Sequence, residues 1–360
     1  PAPKKPRALI LTPTRELAIQ IHKNLEEYGN YLNQKYAVIF GGVSQNKQVR
    51  ELGHGVDVLV ATPGRLLDLI GQKYIRLDNV EFFVLDEADR MLDMGFFKDI
   101  KRLLPLLPKK RHNLFFSATM PKEIQTLANT ILTNPKKIEV TPESTTVKKI
   151  KQSVMYVDQK KKPELLVHIV KKDKKMKTLV FVEMKHIANK VTEKLIKNGV
   201  KAVAIHGNKS QNARQRAIED FTRGQAQVLV ATDIASRGID IDGITHVINY
   251  QLSHMAESYV HRIGRTARAG AEGIAISLVT DEEKSYLVNI EKSTRQTIEV
   301  DTDQPYHSDT AQNARVMSAS RAKGMLEAQQ RKNRPPRGRS AGRRKAPGGG
   351  KASAPSKSRG

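Results

Sequence analysis

The sequence predicts two α/β domains in tandem, each with a parallel sheet covered by helices on both faces, followed by a disordered basic tail. Three observations carry that expectation. Short apolar runs alternate with helix-like stretches up to about residue 140, the alternation starts afresh past residue 152, and beyond residue 304 it gives way to Lys, Arg, Pro, Gly and Ser. Near-continuous apolar strands between amphipathic helices are the pattern of strands buried on both faces. A chain of 360 residues can bury a separate core in each of two domains.

In the first domain, residues 1–140, the expected strands are Ala8 to Leu11, Ala37 to Phe40, Val56 to Ala61, Phe82 to Leu85 and Leu114 to Phe116. Helices such as Glu16 to Tyr31 and Arg65 to Ile70 lie between them. Residues 141–151 lapse into Thr, Ser, Pro, Glu and Lys and read as a linker. The second domain, 152–303, has strands at Thr178 to Val182, Ala202 to Ile205, Val228 to Ala231, His246 to Tyr250 and Ile274 to Leu278, with helices at Ile187 to Asn198 and Asn212 to Arg223. Residues 304–360 are expected to be disordered. From Ala311 to Gly360 there are 14 Lys+Arg against one acidic residue, Glu327, and no aromatic follows Tyr306. Such a segment cannot assemble a core. Its basic groups can hold nucleic-acid phosphates by releasing counterions, without reading sequence; a solvated tail with no specific role is the alternative.

The whole chain carries 62 Lys+Arg and 37 Asp+Glu, a net +25, which points to a polyanionic partner such as nucleic acid or an anionic membrane surface. There is no Cys, which excludes disulfides and thiolate metal sites, and the ten His lack the paired spacing of a metal centre. No apolar run is long enough to span a bilayer, and Pro1 onward has no signal-peptide pattern, so a cytoplasmic protein without a membrane partner is expected.

Chemistry is signalled first by Asp86-Glu87-Ala88-Asp89, which follows the run Phe82 to Leu85 and so emerges at the carboxyl end of a strand. Open parallel sheets bind ligands there. Adjacent carboxylates at that place can hold Mg²⁺ and position a water against a phosphate, although a charged helix start would look the same. Gly41, Gly42 and Gly64 allow close approach of a sugar-phosphate backbone, and Thr14, Arg15, Thr62 and Arg65 bring hydroxyl and guanidinium donors for phosphate oxygens. Arg265 and Arg268 are three apart and share a face if their segment is helical.

In order along the chain stand Pro13-Thr14-Arg15-Glu16-Leu17-Ala18, Gly41-Gly42, Thr62-Pro63-Gly64-Arg65, Asp86 to Asp89 and Ser117-Ala118-Thr119. Gln211 and Arg214 follow, then Ala231-Thr232-Asp233-Ile234-Ala235-Ser236-Arg237-Gly238-Ile239-Asp240 and His261-Arg262-Ile263-Gly264-Arg265-Thr266-Ala267-Arg268. From about Ala8 to Val279 this series resembles the DEAD-box ATP-dependent RNA helicases of superfamily 2. Detail such as Phe40-Gly41-Gly42-Val43-Ser44 and Ile205-His206-Gly207-Asn208-Lys209-Ser210 looks like the bacterial RhlE-like subgroup.

The resemblance implies two RecA-like domains, ATP and Mg²⁺ as cofactors, and RNA held by its backbone with little sequence preference. It implies that Asp86 holds Mg²⁺ through water and Glu87 orients the attacking water, with Arg265 and Arg268 stabilising charge on the γ-phosphate. Asp89, Ser117, Thr119 and His261 would couple nucleotide to RNA and lobe to lobe, and Gly238 and Asp240 would contact the ribose. RNA-side contacts would come from Thr14, Arg15, Gly41, Gly42, Thr62, Gly64, Arg65, Gln211, Arg214 and Thr232. The implied mechanism is a clamp: ATP and RNA close the lobes, one strand is bent, and hydrolysis reopens the cleft.

Two departures from the family pattern stand out. Ala267 occupies a position that is usually Gly in the family, and a requirement for positive φ there would strain it and reduce activity. No Gly-x-x-x-x-Gly-Lys-Ser/Thr occurs anywhere; Gly207-Asn208-Lys209-Ser210 lacks the upstream Gly and the Gly next to Lys. The expectation is an N-terminally incomplete helicase that lacks the adenine-reading glutamine motif and the phosphate-binding loop. As written the chain is expected to have no ATPase activity, and unpaired strand edges are expected in its first sheet. The alternatives are an ATP-independent RNA-binding or annealing protein and a related DNA helicase.

Overall fold

The computed structural model describes residues 5–139, 150–173, 175–236, 241–267 and 272–316. Its first lobe runs β1 (Ala8–Leu11), α1 (Arg15–Tyr28), β2 (Tyr36–Ile39), α2 (Gln45–Gly53), β3 (Val58–Ala61), α3 (Pro63–Gly71), β4 (Phe82–Leu85), α4 (Ala88–Asp93), α5 (Phe97–Leu103), β5 (His112–Phe115) and α6 (Lys122–Ile131). All five strands are parallel, in the order β2-β3-β1-β4-β5. One core fills this lobe, with Leu9, Leu11, Leu59, Phe83 and Leu85 from the strands against Leu66, Leu69, Met91 and Ile100 from the helices. The helices begin where the sequence supplies caps: Thr14 Oγ1 accepts from Leu17 N, Ser44 Oγ accepts from Asn46 N, and Pro63 opens α3.

The second lobe runs β6 (Ile150–Tyr156), α7 (Lys162–Lys172), β7 (Thr178–Val182), α8 (Lys185–Lys197), β8 (Ala202–Ile205), α9 (Gln211–Thr222), β9 (Val228–Thr232), α10 (Asp233–Ser236), β10 (His246–Asn249), α11 (Ala256–Ile263), β11 (Gly273–Val279), α12 (Lys284–Thr294), β12 (Glu299–Val300) and α13 (Asp309–Asn313). Its sheet is also parallel, ordered β12-β6-β11-β10-β7-β9-β8. Every residue of β7, β9 and β10 is buried, which is why β7 and β9 read as near-continuous apolar runs. A buried ion pair closes the far side of this lobe. Lys162 Nζ donates to Glu283 Oε2 at 2.5 Å and to Tyr250 O at 2.8 Å, and Glu283 also accepts from Leu252 N and Thr280 N.

Three places differ from the sequence-based expectation. β6 begins at Ile150, inside the segment read as linker; its polar opening Lys151-Gln152-Ser153 hides a strand that pairs with β11 over its full length. Residues 141–149, the rest of that segment, lie outside the described residues. Order also continues past residue 304. Gln304 Nε2 donates to Tyr156 O, Val157 bridges to His307, Ser308 caps α13, and Ala311 is buried. Side-chain hydrogen bonds tie this segment to the end of β6 where apolar periodicity gives no sign of it. The tail from residue 317 lies outside the described residues. Finally, α1 stops at Tyr28, because Gly29 caps it, and Tyr31 stands fully exposed.

β5 ends the first sheet, with no described strand on its outer side. Its residues are only half-buried, and just beyond it Phe116 and Met120 are exposed, 52% and 49%. Among the described residues no helix is long and apolar enough to cross a membrane.

Candidate functional site at the facing sheet edges

Because every strand in each lobe is parallel, the residues that follow them collect along one edge per lobe. In the first lobe that edge carries Thr14 and Arg15 after β1, Gly41 and Gly42 after β2, Thr62, Gly64 and Arg65 after β3, Asp86 to Asp89 after β4, and Ser117 and Thr119 after β5. In the second it carries Gln211 and Arg214 after β8, Thr232 and Asp233 at the end of β9, and His261 to Arg265 at the end of α11. Gly238, Asp240 and Arg268 lie outside the described residues.

The acidic turn is held from both sides. Asp86 N donates to Leu11 O and Ala88 N to Phe116 O, at 3.0 Å each. Between them Glu87 adopts a left-handed conformation, φ 52° and ψ 52°, a non-glycine strain of the kind that accompanies function. Burial first, and then the neighbouring Glu87, push the Asp86 carboxyl above the usual carboxylate range. Glu87 Oε1 pairs with Arg90, whereas its Oε2 is buried with no hydrogen-bond partner. The Asp86 carboxyl and the free Oε2 of Glu87 are thus left without a cationic partner, which fits a hard divalent cation approached through water. Among the described residues no group of three or more His, Asp or Glu is arranged to hold a metal, so such a cation would depend on water and phosphate for its remaining ligands.

Asp89, Ser117 and Thr119 form one network, as the sequence reading grouped them. Asp89 Oδ2 accepts from Thr119 N at 2.9 Å and Thr119 Oγ1 at 2.8 Å, Ser117 Oγ accepts from Asp89 N, and Ser117 Oγ donates to Thr119 O. His261, the fourth member expected, lies across the lobe boundary. With Arg265, Arg262, Asp233 and Phe181 it lines a cavity of about 20 Å³ against Arg90 of the acidic helix α4.

The donor face is more committed than the sequence suggests. Gly42 has φ +77°, so the turn itself favours glycine, and a Cβ there would stand 2.1 Å from the Arg15 guanidinium and displace it from its place beneath the turn. Arg65 is a strut: NH1 donates to Gln48 Oε1, NH2 to Val43 O, and Gln48 Nε2 to Phe40 O. Thr14 is buried as the cap of α1, and Thr62 is buried at the start of α3. Open space remains at Gly41 and Gly64, where an added Cβ meets nothing within 4 Å.

Glu16 and Arg262, neither given a role by the sequence, organise this region. Glu16 bridges the lobes, its Oε1 accepting from Gln211 Nε2 at 2.9 Å and pairing with Arg214 at 3.1 Å. Burial first, and nearby Arg214 second, lower the Arg15 pKa. Arg262, buried, pairs through two nitrogens with Asp233, both at 2.6 Å, and donates to Gln251 O. The available signal was an arginine set between Val260 and Ile263 on the apolar face of a short helix, where an unpaired charge is not tolerated.

Residues 1–127 match the DEAD/DEAH box helicase domain and residues 161–270 the helicase conserved C-terminal domain. The chain is similar to the ATP-dependent RNA helicase RhlB of Xanthomonas axonopodis pv. citri, at 44% identity over 292 residues, 80% of this chain and 51% of RhlB. It is 42% identical over 285 residues to the DEAD-box ATP-dependent RNA helicase CshA of Bacillus cereus, 79% of this chain and 54% of CshA. It thus spans about half the length of these curated relatives. Among solved structures, S. cerevisiae Dbp5 bound to RNA and ADP BeF3 superposes with a TM-score of 0.73 at 31% identity, covering 89% of this chain and 82% of that one.

Proposed function

The chain belongs to the DEAD-box helicase family, and from that premise we propose that it serves in ATP-driven opening of short RNA duplexes in the cytoplasm. The observation that carries the proposal is the meeting of the two sheet edges. Glu16 of the first lobe is bonded to Gln211 and Arg214 of the second, while the acidic turn and its Arg90 stand across from His261 and Arg265. Residues on one edge thereby register those on the other, which is what a clamp operated by ligand needs.

In this reading Gly41, Gly42 and Gly64 admit RNA backbone, Arg15, Gln211, Arg214 and Thr232 border it, and Arg65 holds the glycine loop in shape. Asp86 and Glu87 face the nucleotide, Glu87 accepting a proton from or aligning a water, and Arg265 supplies positive charge opposite them, a role the family resemblance gives to Arg268 as well. Gly238 and Asp240 complete the nucleotide side. Mg²⁺, when bound with the triphosphate, neutralises charge that develops on the phosphates. Asp89, Ser117, Thr119 and His261 transmit the state of one edge to the other. Within the family, the RhlE-like assignment rests on Phe40 to Ser44 and Ile205 to Ser210.

Residues 1–360 alone are proposed to lack ATPase activity. Their sequence holds no Gly-x-x-x-x-Gly-Lys-Ser/Thr, and β5, half-buried and followed by exposed Phe116 and Met120, is one of the two open ends of the first sheet among the described residues. The test is RNA-stimulated phosphate release by purified residues 1–360. No turnover is expected; robust turnover refutes the proposal. The same absent loop favours a second reading, ATP-independent RNA binding or annealing. Strand annealing that is unchanged by ATP would support it, and competition between RNA and DNA oligomers of one sequence separates an RNA protein from a DNA helicase.

A further inference from the structure

β8 ends the second lobe's sheet. It pairs with β9 from Ala202↔Val228 to Ile205↔Ala231, and no described strand lies on its other side. In a parallel ladder a residue directs its N–H and C=O to the same neighbour, and the next residue directs them to the opposite side. Lys201 O accepts from Gln227 N and Val228 N, so Lys201, Val203 and Ile205 face β9, while Ala202 and Ala204 direct their amides outward.

On that outward side two hollows of about 520 and 450 Å³ share Ile196, Ala202, Val203 and Asp220 as walls and so form one groove between α8 and α9. Small residues border the strand there: Gly199, Ala202, Ala204, Ala213 and Ala217. Nothing bulky keeps another backbone from the strand spacing of about 4.8 Å. Natural edges of this kind are usually blocked by long charged side chains or covered; here the alanines keep a narrow exposure of 8% and 9% at the floor of the groove, and the charged side chains Glu193, Lys209, Arg216 and Asp220 stand along its walls. Ile196 adds an apolar wall that is 55% exposed.

Charge gives the groove a direction. Lys209 and Arg216 line it toward the carboxyl end of β8, opposed by Glu193, while Asp220 lies toward the amino end. His206, which follows β8, is pushed below its ordinary pKa by burial first and then by Lys209, Lys185 and Arg214, in keeping with the basic character of that end, where Lys209 and Arg216 line the groove against Glu193 alone.

We propose that the free edge of β8 receives an extended acidic peptide from a partner protein as an added strand. The peptide main chain bonds to Ala202 and Ala204, an apolar side chain rests on Ile196 and Val203, and a carboxylate lies between Lys209 and Arg216. β-Strand addition of this type takes affinity from main-chain bonds and specificity from flanking pockets. RNA suits the groove poorly, because its lining has no aromatic ring for a base to stack on and its floor is alanine. The partner would sit on α9, the helix whose first turn holds Gln211 and Arg214 against Glu16.

The test needs neither ATP nor RNA, so its outcome is independent of the helicase reading. A displayed library of random peptides of roughly ten residues, strand length with margins, is selected on the full chain and counter-selected on Ala213→Arg, which fills the groove from an accessible helix position. Enriched peptides should alternate apolar positions and carry Asp or Glu at one end. A synthetic representative should slow NMR-detected amide exchange of Ala202 and Ala204 by about tenfold or more. Arg216→Glu should weaken its binding about fivefold, with Arg216→Lys restoring it. The proposal is overturned if no peptide distinguishes the chain from Ala213→Arg, or if the enriched peptides show helical spacing. It is equally overturned if an oligouridine protects the same amides, or if those amides are already protected in a self-associated chain.

Discussion

Lys162→Met is expected to be among the most destabilising single changes in the second lobe. Lys162 is fully buried at the start of α7, and its ammonium is held by Glu283 Oε2 and Tyr250 O. Methionine keeps most of the stem volume, so little cavity forms and the packing contribution is small. What remains is a buried Glu283 without its cation and a carbonyl without a donor. Breaking a buried pair from one side costs about 3–5 kcal/mol, which for a domain of this size lowers Tm by about 6–20 °C. Glu283→Gln added to Lys162→Met removes the stranded charge, so the double variant should be more stable than Lys162→Met alone, with a coupling of about 1–3 kcal/mol. The assay is urea unfolding followed by far-UV circular dichroism, comparing the second lobe's transition across the cycle. A loss below about 1 kcal/mol for Lys162→Met, with no coupling to Glu283, would mean that the pair is open to solvent and that the reasoning from burial is wrong.

Glu183, at the end of β7, is pushed up to about 7 from 4.5, by burial first and by Glu283 second. Its folded pKa lies above the unfolded one, so its contribution is complete below pH 4.5 and is lost as pH rises through about 7. Glu183→Gln should flatten stability against pH across that window, by on the order of 3 kcal/mol; a parallel pH profile for the variant refutes the assignment. Ala267 does have positive φ, 58°, and is buried in the core beneath α11. Ala267→Gly releases about 1–2 kcal/mol of left-handed strain, against about 0.8 for a buried methyl and about 0.4–1 for unfolded-chain freedom, so unfolding should shift by less than about 1 kcal/mol. Glu16→Gln removes the charge that Arg214 pairs with, and small-angle scattering should then report a larger radius of gyration that is less sensitive to salt than the parent's; an unchanged profile refutes the bridging role.

The legible part of the fold is the part made of apolar strands. Thr178 to Val182 and Ala202 to Ile205 were fixed to the residue by composition, because strands buried on both faces admit little else. β6 opens with Lys151-Gln152-Ser153 on a less buried stretch, and the residues after 304 are held by Gln304 and Ser308 rather than by a hydrophobic stripe, so neither announces itself. In the site, residue types and order located Asp86, Asp89 and Thr119 together. They could not reveal that Arg65 braces a loop or that Arg262 is paired with Asp233, because a guanidinium's partners are set by tertiary neighbours 17 to 29 residues away.

Thr14, Arg15 and Glu16 are consecutive, and each has a different duty: one fixes the origin of α1, one packs beneath Gly42, and one reaches the opposite lobe. Successive residues on a helix point about 100° apart, so a single turn addresses two surfaces from one rigid origin. A displacement of α1 along its axis therefore cannot shift Arg15 beneath Gly42 without also shifting the latch between lobes. The gear ratio between the two is set by covalent geometry rather than by a chain of contacts, and it survives any repacking that leaves the Thr14 cap in place.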